Sequence, residues 1–276
     1  YVQPFFSDMK QNNIQLPCEV VVLSQVQDLI LHSLDMGAQW YHFGVRNVIT
    51  TTNAQKEYID RLMVGLHTDV VTPYIHDEFK PSDKPQKPIV LVHTRDAKKG
   101  EKLINEFTRL HPHYAWVPSK SLSKMDRGAY ANHMRECCLA VWVDDISSFG
   151  TFPLECMKSG VPVIGKVPDM MPEWMGEEVD GQYKINSNGT WVLSSHTKLS
   201  DLVSLFMDRW LTDTLDEKVY EDMAETAANY TREHTKEQTL KVFEGLTERR
   251  IERINTIFEK QNKAKENNNN LLKLEK

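Results

Sequence analysis

Short apolar runs bounded by polar, glycine- and proline-bearing stretches recur along the chain, alternating with segments whose apolar residues return every three or four positions. That alternation predicts strand–helix–strand units and therefore an α/β fold with parallel strands. In the first part, residues 19–23, 47–51 and 69–72 read as strands, and residues 26–34 carry helix-like spacing. Residues 53–66 read as a helix behind Thr52, a good N-cap residue. Pro81, Pro85 and Pro88 then stand among charged residues without periodicity, the pattern of a stiff, solvated linker over 81–88.

Beyond the linker, strands are predicted at 89–92, 114–117, 139–143, 161–164 and 191–193. Helices are predicted at 99–110, 127–138, 154–159, 199–211 and 218–230. The proline-punctuated 167–174 and the polar 176–188 read as a surface excursion. From Thr235, Leu240, Phe243, Leu246, Ile251, Ile254 and Phe258 continue a long helix, and 262–276 reads as a frayed, asparagine-rich tail. The expected domains are 1–80, with the linker 81–88, and 89–234, followed by the helix and tail 235–276. The chain opens on Tyr1 with no glycine-rich turn after a first strand, so it is expected to begin inside a domain.

The stretch 144–165 carries the candidate chemistry. A buried strand leads into a loop with Ser147, Ser148 and Gly150, and a short helix follows with Pro153 in its first turn. Gly160 ends that helix before the next strand. In a parallel sheet such a loop sits at the carboxyl edge, where free helix N–H groups favour an anion. Glu155 lies one turn inside the helix. It is either a carboxylate aimed at the same crevice or a structural acid favoured by the helix dipole. Arg95, Lys98 and Lys99 occupy an equivalent turn after the 89–92 strand; they are either a solvated cluster or an anion-facing one, and positive charge at a helix start opposes the macrodipole.

Ser148-Phe149-Gly150, Leu154-Glu155, Met157 and Gly160-Val161-Pro162-Val163-Ile164 resemble the donor-site signature of GT-B glycosyltransferases, in particular the retaining, group 1 (family-four-like) members. The resemblance implies two Rossmann-like domains facing a cleft. The first, acceptor-side domain would be incomplete in this chain, 89–234 would bind the donor nucleotide, and 235 onward would cross back. It implies transfer of a sugar from a nucleotide-diphospho-sugar to a carbohydrate or lipid-linked acceptor hydroxyl, with retention and without metal or other cofactor. Glu155 matches the glutamate that holds the ribose hydroxyls. Arg95 and Lys99 resemble the pair that neutralises the diphosphate. Ser147, Ser148, Phe149, Gly150 and Thr151 match the phosphate-side loop, and Trp116, Val117 and Pro118 the edge lining the base, although Trp116 reads equally as core packing. The chain departs from the motif at Ser147, where the first glutamate of the family's Glu-x7-Glu pair would stand. The alternatives are a sugar-nucleotide-binding module without turnover and another GT-B enzyme, such as a sugar-nucleotide epimerase or a phosphorylase.

Composition narrows little further. The 276 residues are 40% hydrophobic and 26% charged, ordinary for a globular chain with one large core or two smaller ones. A net charge of -6 gives no footprint for nucleic acid. No apolar stretch reaches the roughly 18 residues of a membrane span, and no basic-then-apolar leader opens the chain. A cytoplasmic protein is the expectation, with peripheral membrane contact through the tail as an alternative. Cys18, Cys137, Cys138 and Cys156 lack metal or disulfide spacing and read as buried thiols. His111 and His113 lack partner ligands, and Asp144-Asp145 reads as loop hydrogen-bonding groups rather than a metal pair.

Overall fold

A computed structural model of the chain describes residues 2–274 except 17, 27, 28, 33, 123, 145, 146, 148, 181, 194 and 195. The chain forms two compact units, Tyr1–Thr235 and Lys236–Lys276. The first opens with helix α1 (Val2–Gln11) and holds a three-stranded sheet of β1 (Val21–Ser24), β2 (Asn47–Thr50) and β3 (His67–Val70). All its pairings are parallel. Helix α2 (Asn53–Leu62) follows β2, and the Thr52 side chain accepts from the Gln55 N–H as the expected N-cap.

The second sheet contains β4 (Lys87–His93), β5 (Ser119–Lys120), β6 (Cys137–Trp142), β7 (Val163–Lys166) and β10 (Thr190–Val192). Its order is β10-β7-β6-β4-β5, and every pairing is parallel. Between its strands run α3 (Ala97–Leu110), α4 (Arg127–Arg135), α5 (Thr151–Lys158) and a separate antiparallel hairpin, β8 (Gly176–Val179) with β9 (Gln182–Ile185). Helices α6 (His196–Leu211), α7 (Glu217–Ala228) and α8 (Arg232–Leu274) complete the chain.

The apolar runs that marked these strands are continuous because both faces of the sheet are covered. Ile89, Leu91, Ala140, Trp142 and Val163 enter one core with residues of α4, α5 and α7. Their neighbours Val90, Val92, Leu139, Val141 and Ile164 enter another with residues of α3 and α6. Strand β5 lies on one side of β4 and strands β6 and β7 on the other. The chain therefore changes direction between β4 and β6, the place where a doubly wound sheet opens a crevice at its carboxyl edge.

Several expectations need correction. Residues 26–34 form no α-helix among the described residues; Val26 instead makes an antiparallel bridge to Ser147, and Ile30 is buried from an irregular segment. The 114–117 strand is replaced by a 3-10 turn at Pro112–Tyr114, and β5 begins only at Ser119. Helix α4 stops at Arg135 because Cys137 and Cys138 already belong to β6. The 167–188 excursion is anchored, with Val167, Met171, Trp174 and Met175 buried. The 262–276 tail continues α8 through Leu274. Lys87 and Pro88 of the linker already belong to β4, and Cys18 is exposed while the other cysteines are buried. No helix among the described residues is long and apolar enough to cross a membrane.

Candidate functional site

The site grows from the two strand ends at the change of direction. The Val143 N–H donates to the His93 carbonyl at 2.9 Å, so β4 and β6 deliver their following loops side by side. After β4, the Asp96 side chain accepts from the Lys98 N–H at 3.0 Å and starts α3. A Cβ on Gly100 would meet Thr94 Cγ2 at 2.9 Å, so a larger residue there would force the Thr94 side chain or the helix to shift. The turn presents Arg95.

Arg95 reaches across to the β6 loop. Its Nε lies 3.2 Å from Asp144 Oδ2, and its Nη2 donates to Ser147 Oγ at 2.9 Å. Ser147 Oγ donates in turn to Asp144 Oδ2 at 2.6 Å. The Asp144 side chain is only 2% exposed whereas that of Arg95 is 50% exposed. A buried carboxylate thus anchors one side of a guanidinium whose other side remains open to the crevice, and a charged pair of this kind is strong enough to set its direction. His93 closes the floor, stacked on Phe152 with centroids 4.2 Å apart. Burial pushes its imidazole below the usual histidine range; Asp144 opposes that shift and Arg95 reinforces it.

Helix α5 starts at Gly150, whose φ of 69° is left-handed and which carries no side-chain cap. A Cβ there would meet the Trp142 ring at 3.0 Å and the Trp174 ring at 3.2 Å. Trp174 Nε1 donates to the Phe149 carbonyl at 2.6 Å, fastening the loop just ahead of the helix. The first-turn N–H groups that lack a side-chain cap are those that attract anions at helix starts. One turn on, Glu155 is half-buried, and its carboxyl takes no hydrogen bond among the described residues although its backbone carbonyl accepts from the Ser159 N–H. Burial pushes its carboxyl up to about 7, with Arg127 pulling the other way.

Arg95, Ser147, Gly150 and Glu155 are therefore placed on the β4 and β6 loops and on α5. Lys99 is half-buried at the third position of α3, and Thr151 is exposed at the first position of α5. Phe149 faces inward, edge-on to Tyr230 with centroids 5.4 Å apart, so its backbone and not its ring serves the loop. Ser148 and Asp145 lie outside the described residues. Trp116, Val117 and Pro118 are not brought here. Ser119 pairs with Val90 in the middle of β4, so these three precede β5 toward the amino edge, the end opposite the crevice. Trp116 is 55% exposed and Val117 is buried against α3, so neither the base-lining nor the core-packing expectation for Trp116 fits this register.

Sequence reasoning missed His93, Asp144 as the partner of Arg95, and Trp174. A histidine closing an apolar strand was a visible signal for the first; the other two depend on contacts 49 and 25 residues apart that no local pattern shows. Among the described residues, no group of three side chains is arranged to hold a metal ion.

The architecture is that of the GT-B glycosyltransferases. The pneumococcal O-GlcNAc transferase GtfA, solved with UDP and GlcNAc, superposes with a TM-score of 0.56 at 16% identity, covering 89% of this chain and 54% of GtfA. Sucrose-phosphate synthase from Thermosynechococcus elongatus gives 0.62 at 14% identity, covering 90% of this chain and 72% of the synthase. In sequence, the chain is 26% identical over 154 residues to an alpha-1,6-glucosyltransferase of Actinobacillus pleuropneumoniae serotype 7 (strain AP76), covering 51% of this chain and 46% of that enzyme. The chain thus spans about half the length of the curated relative it matches. No family model matches it.

Proposed function

We propose that this chain is the donor-handling part of a glycosyltransferase that passes a sugar from a nucleotide-diphospho-sugar to an acceptor hydroxyl, with retention and without a metal ion. The observation that carries the proposal is the start of α5 at glycine, at the change of strand direction, with the Glu155 carboxyl one turn behind it taking no hydrogen bond among the described residues. The helix start suits a diphosphate, and the carboxyl suits a ribose diol. Departure of the nucleotide diphosphate is the costly event. Its developing charge would meet Arg95, Lys99 and the loop N–H groups, the kind of preorganised electrostatic stabilisation that carries much of enzymatic catalysis. The GT-B fold and the glucosyltransferase relative support this reading, and the motif at Leu154-Glu155 supports retention.

A second reading, a sugar-nucleotide-binding module without turnover, draws on Ser147 and on the engagement of Arg95 by Asp144. Calorimetry with UDP, GDP and ADP tests what both share: one of them is expected to bind, and failure of all three would sink both. Transfer or hydrolysis of a sugar nucleotide in the presence of chelator then separates the enzyme from the module.

A further inference from the structure

A cavity of about 840 Å³ lies between α2, with Leu31, and the 169–183 segment. It is reached from the carboxyl ends of both sheets, because α2 follows β2 and the 169–175 segment follows β7. It adjoins the donor loop, since Glu173 on its wall neighbours Trp174, which holds the Phe149 carbonyl. Four carboxylates line it, Glu57, Asp169, Glu173 and Glu177, with Arg61 on the same wall and Lys184 paired with Glu177 at 3.1 Å, so among the described residues the carboxylates outnumber the cations by two. Tyr58 and Tyr183, 37% and 41% exposed, supply aromatic surface. The start of α2, where an anionic group would be received, is already occupied: the Asn53 N–H donates to a carboxylate oxygen of Glu173.

We infer that this cavity receives the acceptor and that it selects by charge, admitting a neutral or amine-bearing polyhydroxylated group and turning away an anionic one such as a uronate or a sugar phosphate. This rests on the glycosyl-transfer reading above. Carboxylates accept hydrogen bonds from hydroxyl and ammonium groups but have none to donate, so they complement sugar hydroxyls and oppose another carboxylate. Tyrosine rings cover the apolar face of a pyranose and can offer a phenol O–H at its edge. An incoming anion would face an excess of exposed carboxylates, a repulsion that salt weakens. It would also have to displace Glu173 from α2 before reaching a helix start.

The test uses the full chain and three probes that differ in charge: methyl glucoside, its amino-sugar analogue and its uronate. Binding is read by ligand-observed NMR near neutral pH, first on the chain alone and then with any nucleoside diphosphate that calorimetry shows to bind present at saturation. The neutral and amino probes are expected to bind, with the uronate weaker by roughly tenfold or more. Glu57→Gln is expected to narrow that gap, as is Glu173→Gln. The first of these leaves the contact to α2 intact, so a folding defect of the second does not decide the matter. A uronate that binds as well as the neutral probe overturns the inference, and so does failure of all three probes. If a nucleotide binds while the probes show no charge preference, this inference fails alone. If the probes discriminate but no nucleotide binds, the donor reading fails instead.

Discussion

Replacing Glu155 by Gln separates a ligand-holding carboxylate from a structural one, because the two roles predict opposite signs for stability. Burial raises the Glu155 carboxyl from the ordinary value of 4.5 to about 7, so the folded protein disfavours its charged form. A displacement of that size corresponds to at most about 3 kcal/mol, and partial exposure reduces it to about 2. Below pH 4.5 both folded and unfolded chains carry the proton, and the group has no effect on stability. As pH rises toward 7, the unfolded chain releases the proton while the folded chain keeps it, so wild-type stability falls; above about 7 the loss is complete. Glutamine mimics the protonated acid. Denaturant unfolding should therefore show Glu155→Gln equal to wild type at pH 4 and more stable by about 2 kcal/mol at pH 8. Calorimetry should show the same variant losing about tenfold in nucleoside diphosphate affinity at pH 8, the cost of one charged hydrogen-bonding partner. A variant that is destabilised at pH 8 with affinity intact would return Glu155 to a structural role and remove the main support for a ribose site.

Gly150→Ala should cost about 2–4 kcal/mol in the same unfolding assay, combining a left-handed backbone with a methyl group pressed into the Trp142 and Trp174 rings; a variant of wild-type stability would show that the loop is not held as tightly as its geometry indicates. Arg95→Ala should lose roughly two to three orders of magnitude in turnover, with chelator harmless to the wild type. Because it also strips Asp144 of its partner, it should lower stability by about 1–3 kcal/mol, and adding Asp144→Asn should restore stability but not turnover. Recovery of both would make Arg95 a structural counter-ion. Trp174→Phe should lose about 1 kcal/mol of stability and weaken nucleotide binding, since it removes the Nε1 donor to Phe149 while keeping most of the ring; unchanged binding would show that this bond does not position the loop.

What was legible in the sequence was whatever rests on local pattern. The runs 89–92 and 139–143 are uninterrupted because neighbouring residues feed two different cores, and that same burial makes them readable as strands. Gly150 and Gly160 are readable as boundaries because both hold left-handed φ values. Helix α1 was also legible in principle, for Val2, Phe5, Phe6 and Met9 follow helical spacing, but it lay ahead of the valine-rich strand that drew the reading. Residues 26–34 failed for the opposite reason. Their apolar spacing suits a helix, yet the bridge from Val26 to Ser147 and the burial of Ile30 are tertiary demands that local propensity does not contain. The base-lining expectation for Trp116 to Pro118 failed by register, because two hydrogen-bonded residues fix β5 against β4 and the apolar residues fall before them.

Ser147 is best understood together with Asp144. A glutamate at 147 would bring a second carboxylate beside a buried one, with the Arg95 guanidinium shared between the two positions. With serine there, the hydroxyl donates to Asp144 and accepts from Arg95, so all three polar groups are used without a second charge. The consequence reaches the proposed chemistry. A diphosphate arriving at Arg95 meets a half-exposed guanidinium already paired with Asp144, so part of what it gains is offset by weakening that pair. Arg95 should then add little to ground-state nucleotide affinity. It should matter most when the leaving phosphate gains charge and outbids Asp144, which is the condition for an interaction that accelerates the step more than it tightens binding. The kinetic signature is specific. Arg95→Ala should depress kcat far more than it raises KM for the donor, whereas a raised KM with kcat unchanged would mean that Arg95 binds ground state and transition state alike.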